Sequence, residues 1–116
     1  MHALIIEDEP FIAMSIEDIL RTCGFTSFDM ATTVDDAVSA AKRTCPDLIT
    51  ADVDLNPGSG IDAVNEICSG PIIPVLFITG SPTEVKRRMG DHRMIEKPFT
   101  ASAVIAAVNS ALGKHG

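Results

Sequence analysis

The chain reads as an α/β fold of five consecutive βα units. Three observations carry that reading: short apolar runs recur five times, segments of helical period fill the gaps, and glycines sit just past several of those segments. Strands that alternate with helices imply a parallel sheet with right-handed crossovers and helices on both faces. The apolar runs are residues 2–7 (HALIIE), 26–30 (TSFDM), 46–51 (PDLITA), 74–78 (PVLFI) and 93–96 (RMIE). The first, third and fourth are almost uninterrupted in apolar character, as strands covered on both faces tend to be.

The intervening segments repeat at three and four. In residues 10–23 the recurring positions are Ile12, Ile16, Ile19, Leu20 and Cys23, with Pro10 suited to a first turn and Gly24 to a left-handed stop. In residues 33–44, Val34, Ala37, Val38 and Ala41 share one face, and Thr33 with Asp36 reads as a capping pair. Segments 60–69 and 81–89 are shorter, and the second opens on Ser81, Pro82 and Glu84, a helix start. Residues 100–112 begin at Thr100 and carry Val104, Ile105, Val108 and Leu112. Gly70, Gly90 and Gly113 follow three of these helices.

Composition narrows the function classes. With 116 residues, 46% of them hydrophobic and 22% charged, the chain is expected to form one domain over 1–116, without a linker or an output domain. A formal net charge of −7 counts against nucleic acid and anionic membrane as partners, since both need Lys and Arg to neutralise phosphates. Cys23, Cys45 and Cys68 are odd in number and widely spaced, which suggests neither a disulfide framework nor a zinc site and fits a reducing cytoplasm. The apolar start MHALII is cut off by Glu7 and Asp8, so no signal peptide is expected. No run approaches the ~20 apolar residues of a membrane span, and the expected location is the cytoplasm.

The chemistry concentrates at strand ends. Binding groups in parallel α/β sheets collect where the strands end at their carboxyl edge. Reading the residues there gives Glu7 and Asp8, then Asp52, then Thr79, then Lys97. Three carboxylates at close range repel one another unless a cation sits among them, and an all-oxygen set that retains waters suits Mg²⁺. Lys97 and Thr79 add a positive charge and a hydroxyl donor, which a phosphoryl group with negative equatorial oxygens requires. Asp52 can then act as the nucleophile and form an acyl phosphate, labile to water and suited to a reversible switch.

Four segments carry a resemblance that covers the whole chain: LIIEDEP (4–10), PDLITAD (46–52), PVLFITG (74–80) and IEKPF (95–99). In this order and spacing they resemble the signature segments of response-regulator receiver domains. The resemblance implies a doubly wound, flavodoxin-like sheet of order 2-1-3-4-5, a phosphoacceptor at Asp52 and metal ligands at Glu7 and Asp8. It also implies a metal contact from the Asp54 carbonyl, a phosphoryl-binding Lys97, a Thr79 that follows the phosphoryl group, and a cis Lys97–Pro98 bond. The implied role is two-component signalling rather than enzymatic turnover. The donor would be a sensor histidine kinase or histidine phosphotransfer protein, and the output a change of protein partner on the face of the fourth helix, fifth strand and fifth helix.

Three positions depart from the family pattern. Glu7 stands where Asp is usual. Met94 stands three residues before Lys97, where the family places Tyr or Phe, so the usual aromatic rotation coupled to Thr79 cannot occur. Gly80 follows Thr79 where Ala is common, and Pro74 to Gly80 partly matches the PFxFATG-type motif of an atypical, often single-domain subclass associated with general stress signalling in alphaproteobacteria. Val75 and Ile78 differ from that motif. With Met94 and Gly80, signal transmission is expected to pass through ordering of the loop after Thr79.

Each residue also has a plainer reading. Asp8 or Glu9 beside Pro10 can cap a helix, Thr79 can be a β-branched core residue or cap, and Lys97 a surface lysine. Asp54 is either a loop acid or a group near the phosphoryl. Arg87 and Arg88 form a solvated helix face or a partner surface, and Phe11 serves packing or docking. Met30, Met89 and Met94 read as core fillers. His2, His92 and His115 have no ligand spacing. Two other functions remain open: a pseudo-receiver that binds partners without phosphorylation, and a Mg²⁺-dependent phosphohydrolase using the Asp52/Asp54 pair.

Overall fold

Five βα units alternate along residues 1–113, the residues that the computed structural model describes. They are β1 (His2–Ile6), α1 (Pro10–Thr22), β2 (Ser27–Ala31), α2 (Val34–Arg43), β3 (Leu48–Ala51), α3 (Gly60–Ile67), β4 (Val75–Thr79), α4 (Pro82–Met89), β5 (Met94–Glu96) and α5 (Ala101–Ala111). The sheet is parallel throughout, in the order β2-β1-β3-β4-β5. This is the expected doubly wound arrangement. The chain leaves β1 toward β2 on one side and returns to β3 on the other, so the carboxyl ends of β1 and β3 flank the switch point where a crevice opens.

Strand alternation divides the core into two layers. Leu4, Ile6, Ile49, Ala51, Val75 and Phe77 point to the side covered by α2, α3 and α4. Ala3, Ile5, Leu48, Leu76 and Ile78 point to the side covered by α1 and α5, whose Ile16, Leu20, Val104 and Val108 meet them. Burying each such aliphatic side chain contributes about 1.5–3 kcal/mol, which is why β1, β3 and β4 accept no polar residue facing either layer except near their ends. Thr50 is the exception, a buried hydroxyl without a protein partner among the described residues.

Helix starts follow local side-chain chemistry. Glu9, Thr33, Ser59 and Thr100 each accept a hydrogen bond from a first-turn amide of α1, α2, α3 and α5. Thr33 takes the Asp36 amide, as the capping pair requires. Gly24 has φ 97°, the left-handed conformation expected after α1. Ser81 precedes α4 as expected but makes no capping bond.

Two packing expectations are corrected. Met89 and Met94 pack against the core, but Met30 is 45% exposed, because β2 is an edge strand and Met30 lies on its open side. Phe11 is 80% exposed and does not pack inward; Ile12 and Ala13 take the inward positions of the first turn of α1. Phe11 instead lines an open groove of about 480 Å³ with Ile12, Ser15, Lys97, Pro98 and Phe99. No helix among the described residues is long and apolar enough to cross a membrane. His115 lies outside the described residues.

Candidate phosphoacceptor site

Ladder bonds carried past the strand ends bring the candidate residues together. The Glu7 amide donates to Ala31 O at 3.0 Å, the Asp52 amide to Ile6 O at 2.9 Å, and the Lys97 amide to Thr79 O at 2.8 Å. Each residue is therefore the first beyond its strand, held in register while its side chain faces the crevice.

Glu7, Asp8 and Asp52 converge there, with one carboxylate oxygen from each lying within 4.8 Å of the others. Lys97 Nζ reaches in from the end of β5, donating to Glu7 Oε1 at 2.6 Å and to Asp52 Oδ2 at 3.0 Å. Glu7 and Asp52 are 3% and 5% exposed, whereas Asp8 is open to solvent. Asp52 Oδ1 accepts from the Asp54 amide, so both oxygens of Asp52 are engaged. The Glu9 carboxylate, not Asp8, caps α1, so Asp8 is left to the cluster.

The balance of charge shows in the titration of the buried members. Burial is the largest influence on Glu7 and raises its pKa; the Lys97 bond and the Glu9 amide lower it, the charge on Asp52 adds to the rise, and the net shift is upward. Burial alone would lower the pKa of Lys97, but its bonds to Glu7 and Asp52 and their charges outweigh that, and the net shift is again upward. A carboxyl with a raised folded pKa contributes stability that is fully present below its ordinary value and is lost as pH rises through the raised one. In a chelating buffer, Glu7→Gln should therefore flatten the decline of the urea midpoint across and just above the carboxylate range. Superimposable pH profiles for the two proteins would contradict this account of Glu7.

Thr79 closes the crevice on the β4 side. It is fully buried, and its Oγ1 accepts from the Ser81 amide at 2.9 Å. The Asp54 side chain turns away from the carboxylate cluster and accepts from Ser81 Oγ at 2.8 Å. The Lys97–Pro98 bond is cis, as expected, and so is Asn56–Pro57, which no sequence feature had marked.

The family model described as response regulator receiver domain matches residues 3–109. The chain belongs to that family. As a receiver domain it is 40% identical over 113 residues to the phyllosphere-induced regulator PhyR of Methylorubrum extorquens, covering 94% of this chain and 42% of that protein. The chain thus spans less than half the length of that relative. Among solved structures, the receiver domain of PhyR from Erythrobacter litoralis matches at a TM-score of 0.90 and 38% identity, over 97% of this chain and 89% of that one. The receiver domain of the sensor histidine kinase PA1611 from Pseudomonas aeruginosa, solved with magnesium coordinated in its active site cleft, matches at 0.83 and 25%, over 97% and 98%.

Receiver domains generally bind Mg²⁺ at an acidic site, and the residues here fit that ion. The donors are hard carboxylate oxygens, three from two strand ends, with room for retained waters on the exposed Asp8 side. Lys97 meets part of their negative charge, but one ammonium faces three carboxylates.

Two residues of this receiver domain escaped sequence reasoning. Gly60 opens α3 so close to the end of β3 that a Cβ there would lie 1.9 Å from the Asp52 carbonyl oxygen. In sequence Gly60 reads only as the first residue of the helical segment 60–69, and no local signal marks its closeness to Asp52. Ser81 was read as a cap and instead spans two loops. Of the histidines, His2 bonds Ser27 and Asp29, and His92 sits edge-on to Phe77 with centroids 5.1 Å apart. Arg87 pairs with Glu84, and Arg88 with Asp62 of α3, at 2.7 Å.

Proposed function

We propose that residues 1–116 act as one receiver unit that takes a phosphoryl group on Asp52 from a phosphohistidine donor, with Mg²⁺ as cofactor, and thereby changes its protein partners. The observation that carries this reading is Lys97 Nζ lying between Glu7 and Asp52 at the edge of a three-carboxylate cluster. The magnesium-bound neighbour at 25% identity and the PhyR receiver domains support it.

In the proposed reaction an Asp52 oxygen attacks phosphorus, the new P–O bond forms as the P–N bond of the donor breaks, and the imidazole leaves neutral, keeping the proton that its other ring nitrogen already carried. Held by Glu7, Asp8, Asp52 and the Asp54 carbonyl, Mg²⁺ would supply neutralisation of charge on the transferred group. Lys97 follows that charge from the other side, releasing Asp52 to hold a phosphoryl oxygen while its bond to Glu7 keeps the ammonium in place. Thr79, at the end of the neighbouring strand, supplies the hydroxyl that meets a further oxygen. The donor is a sensor histidine kinase or a histidine phosphotransfer protein, the setting is the cytoplasm, and signalling rather than turnover is the output.

Two PhyR structures are described as anti-anti-sigma factors, which makes a regulatory protein the natural class of downstream partner. The partial PFxFATG-type motif is in keeping with these PhyR likenesses. A phosphohydrolase would need the Asp54 carboxylate to face the same substrate as Asp52, and its bond to Ser81 counts against that.

Beryllofluoride with Mg²⁺, a mimic of the phosphoryl group, tests the switch. Amide shifts around Asp52, Thr79 and Lys97 should change, with residues 79–90 responding, and chelation of the metal should reverse this. A spectrum indifferent to beryllofluoride would refute the proposal.

A further inference from the structure

Ser81 stands where a cap belongs and does something else. The other four long-helix caps, Glu9, Thr33, Ser59 and Thr100, have ψ between 112° and 162° and accept from a first-turn amide. Ser81 has ψ 63° and makes no capping bond, although α4 follows it directly. Its hydroxyl instead crosses to Asp54 Oδ2, 27 residues away in sequence, at 2.8 Å. Both residues line an open cavity of about 590 Å³ between the β3–α3 and β4–α4 loops, together with Leu55, Gly58, Gly80 and Thr83.

The bond is one link in a continuous chain. Asp52 Oδ1 accepts from the Asp54 amide, Asp54 Oδ2 accepts from Ser81 Oγ, and the Ser81 amide donates to Thr79 Oγ1. The acceptor carboxylate is thus joined to the buried Thr79 hydroxyl through two side chains that the proposed chemistry does not use. Gly80, in the middle of the bridging loop, meets nothing within 4 Å where a Cβ would be, so neighbouring side chains do not fix the loop there. Both arrangements of Ser81 are therefore within reach of a small backbone change.

We propose that Ser81 is a two-position switch: as a catch on Asp54 it holds the β4–α4 loop in the arrangement seen here, and on release it rotates to cap α4. Resting on the phosphoacceptor reading, the release is assigned to phosphorylation, which removes Asp52 Oδ1 from the Asp54 amide and draws the Thr79 hydroxyl off the Ser81 amide. The catch gives this chain a route from Asp52 to α4 that does not need an aromatic side chain at Met94. The two bonds exclude each other because the capping ψ and the bridging ψ differ.

Amide hydrogen exchange at Thr83 reads the two positions, because Pro82 has no N–H and the Glu84 amide already donates to Ser81 O at 3.2 Å. Asp54→Ala frees the hydroxyl and should slow exchange there by roughly fivefold without any phosphoryl mimic, the factor a side-chain cap of ordinary strength contributes. Ser81→Asp, a capping residue repelled by Asp54, should do the same, and Ser81→Ala should not. Wild type in beryllofluoride and Mg²⁺ should match Asp54→Ala. Unchanged exchange in both Asp54→Ala and Ser81→Asp would overturn the switch. Slowed exchange in those variants, with wild type unchanged there although its Asp52 and Lys97 amide shifts respond to beryllofluoride, would overturn release by phosphorylation; no response at Asp52 either would refute the phosphoacceptor reading instead.

Discussion

Asp52→Asn is expected to abolish phosphoryl acceptance from acetyl phosphate while leaving a folded protein. The amide has no anionic oxygen to attack phosphorus, so the loss should be complete rather than graded. Folding should survive because Lys97 keeps its 2.6 Å bond to Glu7, and because removing one of three clustered carboxylates relieves repulsion in the metal-free state. A phosphate-affinity gel should show a shifted band for wild type only in Mg²⁺, and none for the variant. A shifted band in Asp52→Asn, under conditions where chelator suppresses it in wild type, would place the acceptor elsewhere.

Gly60→Ala is expected to have the largest effect on stability of any single-methyl change in this chain. The added Cβ would meet the Asp52 carbonyl oxygen at 1.9 Å and the carbonyl carbon at 2.9 Å, both backbone atoms that cannot swing aside. Either α3 moves outward, unseating Ile61, Val64 and Ile67 from the core, or the acceptor backbone shifts. A cost of about 3 kcal/mol is expected, at the upper end of what overpacking produces. Urea denaturation would read it, and beryllofluoride affinity should fall in whatever protein remains folded. A midpoint equal to that of wild type would show that α3 does not rest on the Asp52 backbone as described.

The strands and helices were legible because their signals are local. HALIIE and PVLFI are near-continuous apolar runs, as doubly covered strands must be, and the helices announce themselves by period and by Thr33, Thr100 and Gly24 at their ends. The convergence of Glu7, Asp8, Asp52 and Lys97 was legible for a different reason. In a parallel α/β sheet all carboxyl ends lie on one edge, so topology alone places first residues beyond strands together.

What stayed hidden depends on contacts between distant loops. Nothing near Ser81 marks its bond to Asp54, and the triplet Ser81, Pro82, Glu84 points toward an ordinary cap. Gly60 is required by the carbonyl of a residue eight positions earlier, a contact that the helical period of 60–69 does not reveal. Met30 and Phe11 misled in the other direction. Apolar character predicts burial on average, but an edge strand and the outer face of α1 both leave such side chains in solvent.

Acceptance on Asp52 itself can be read as a covalent adduct. Borohydride reduction after incubation with acetyl phosphate and Mg²⁺ converts an aspartyl phosphate to homoserine, and peptide mass spectrometry then locates it. Homoserine is expected at position 52, dependent on Mg²⁺ and on the phosphodonor. Homoserine at Asp8 or Asp54 instead, or none at any aspartate, would contradict it.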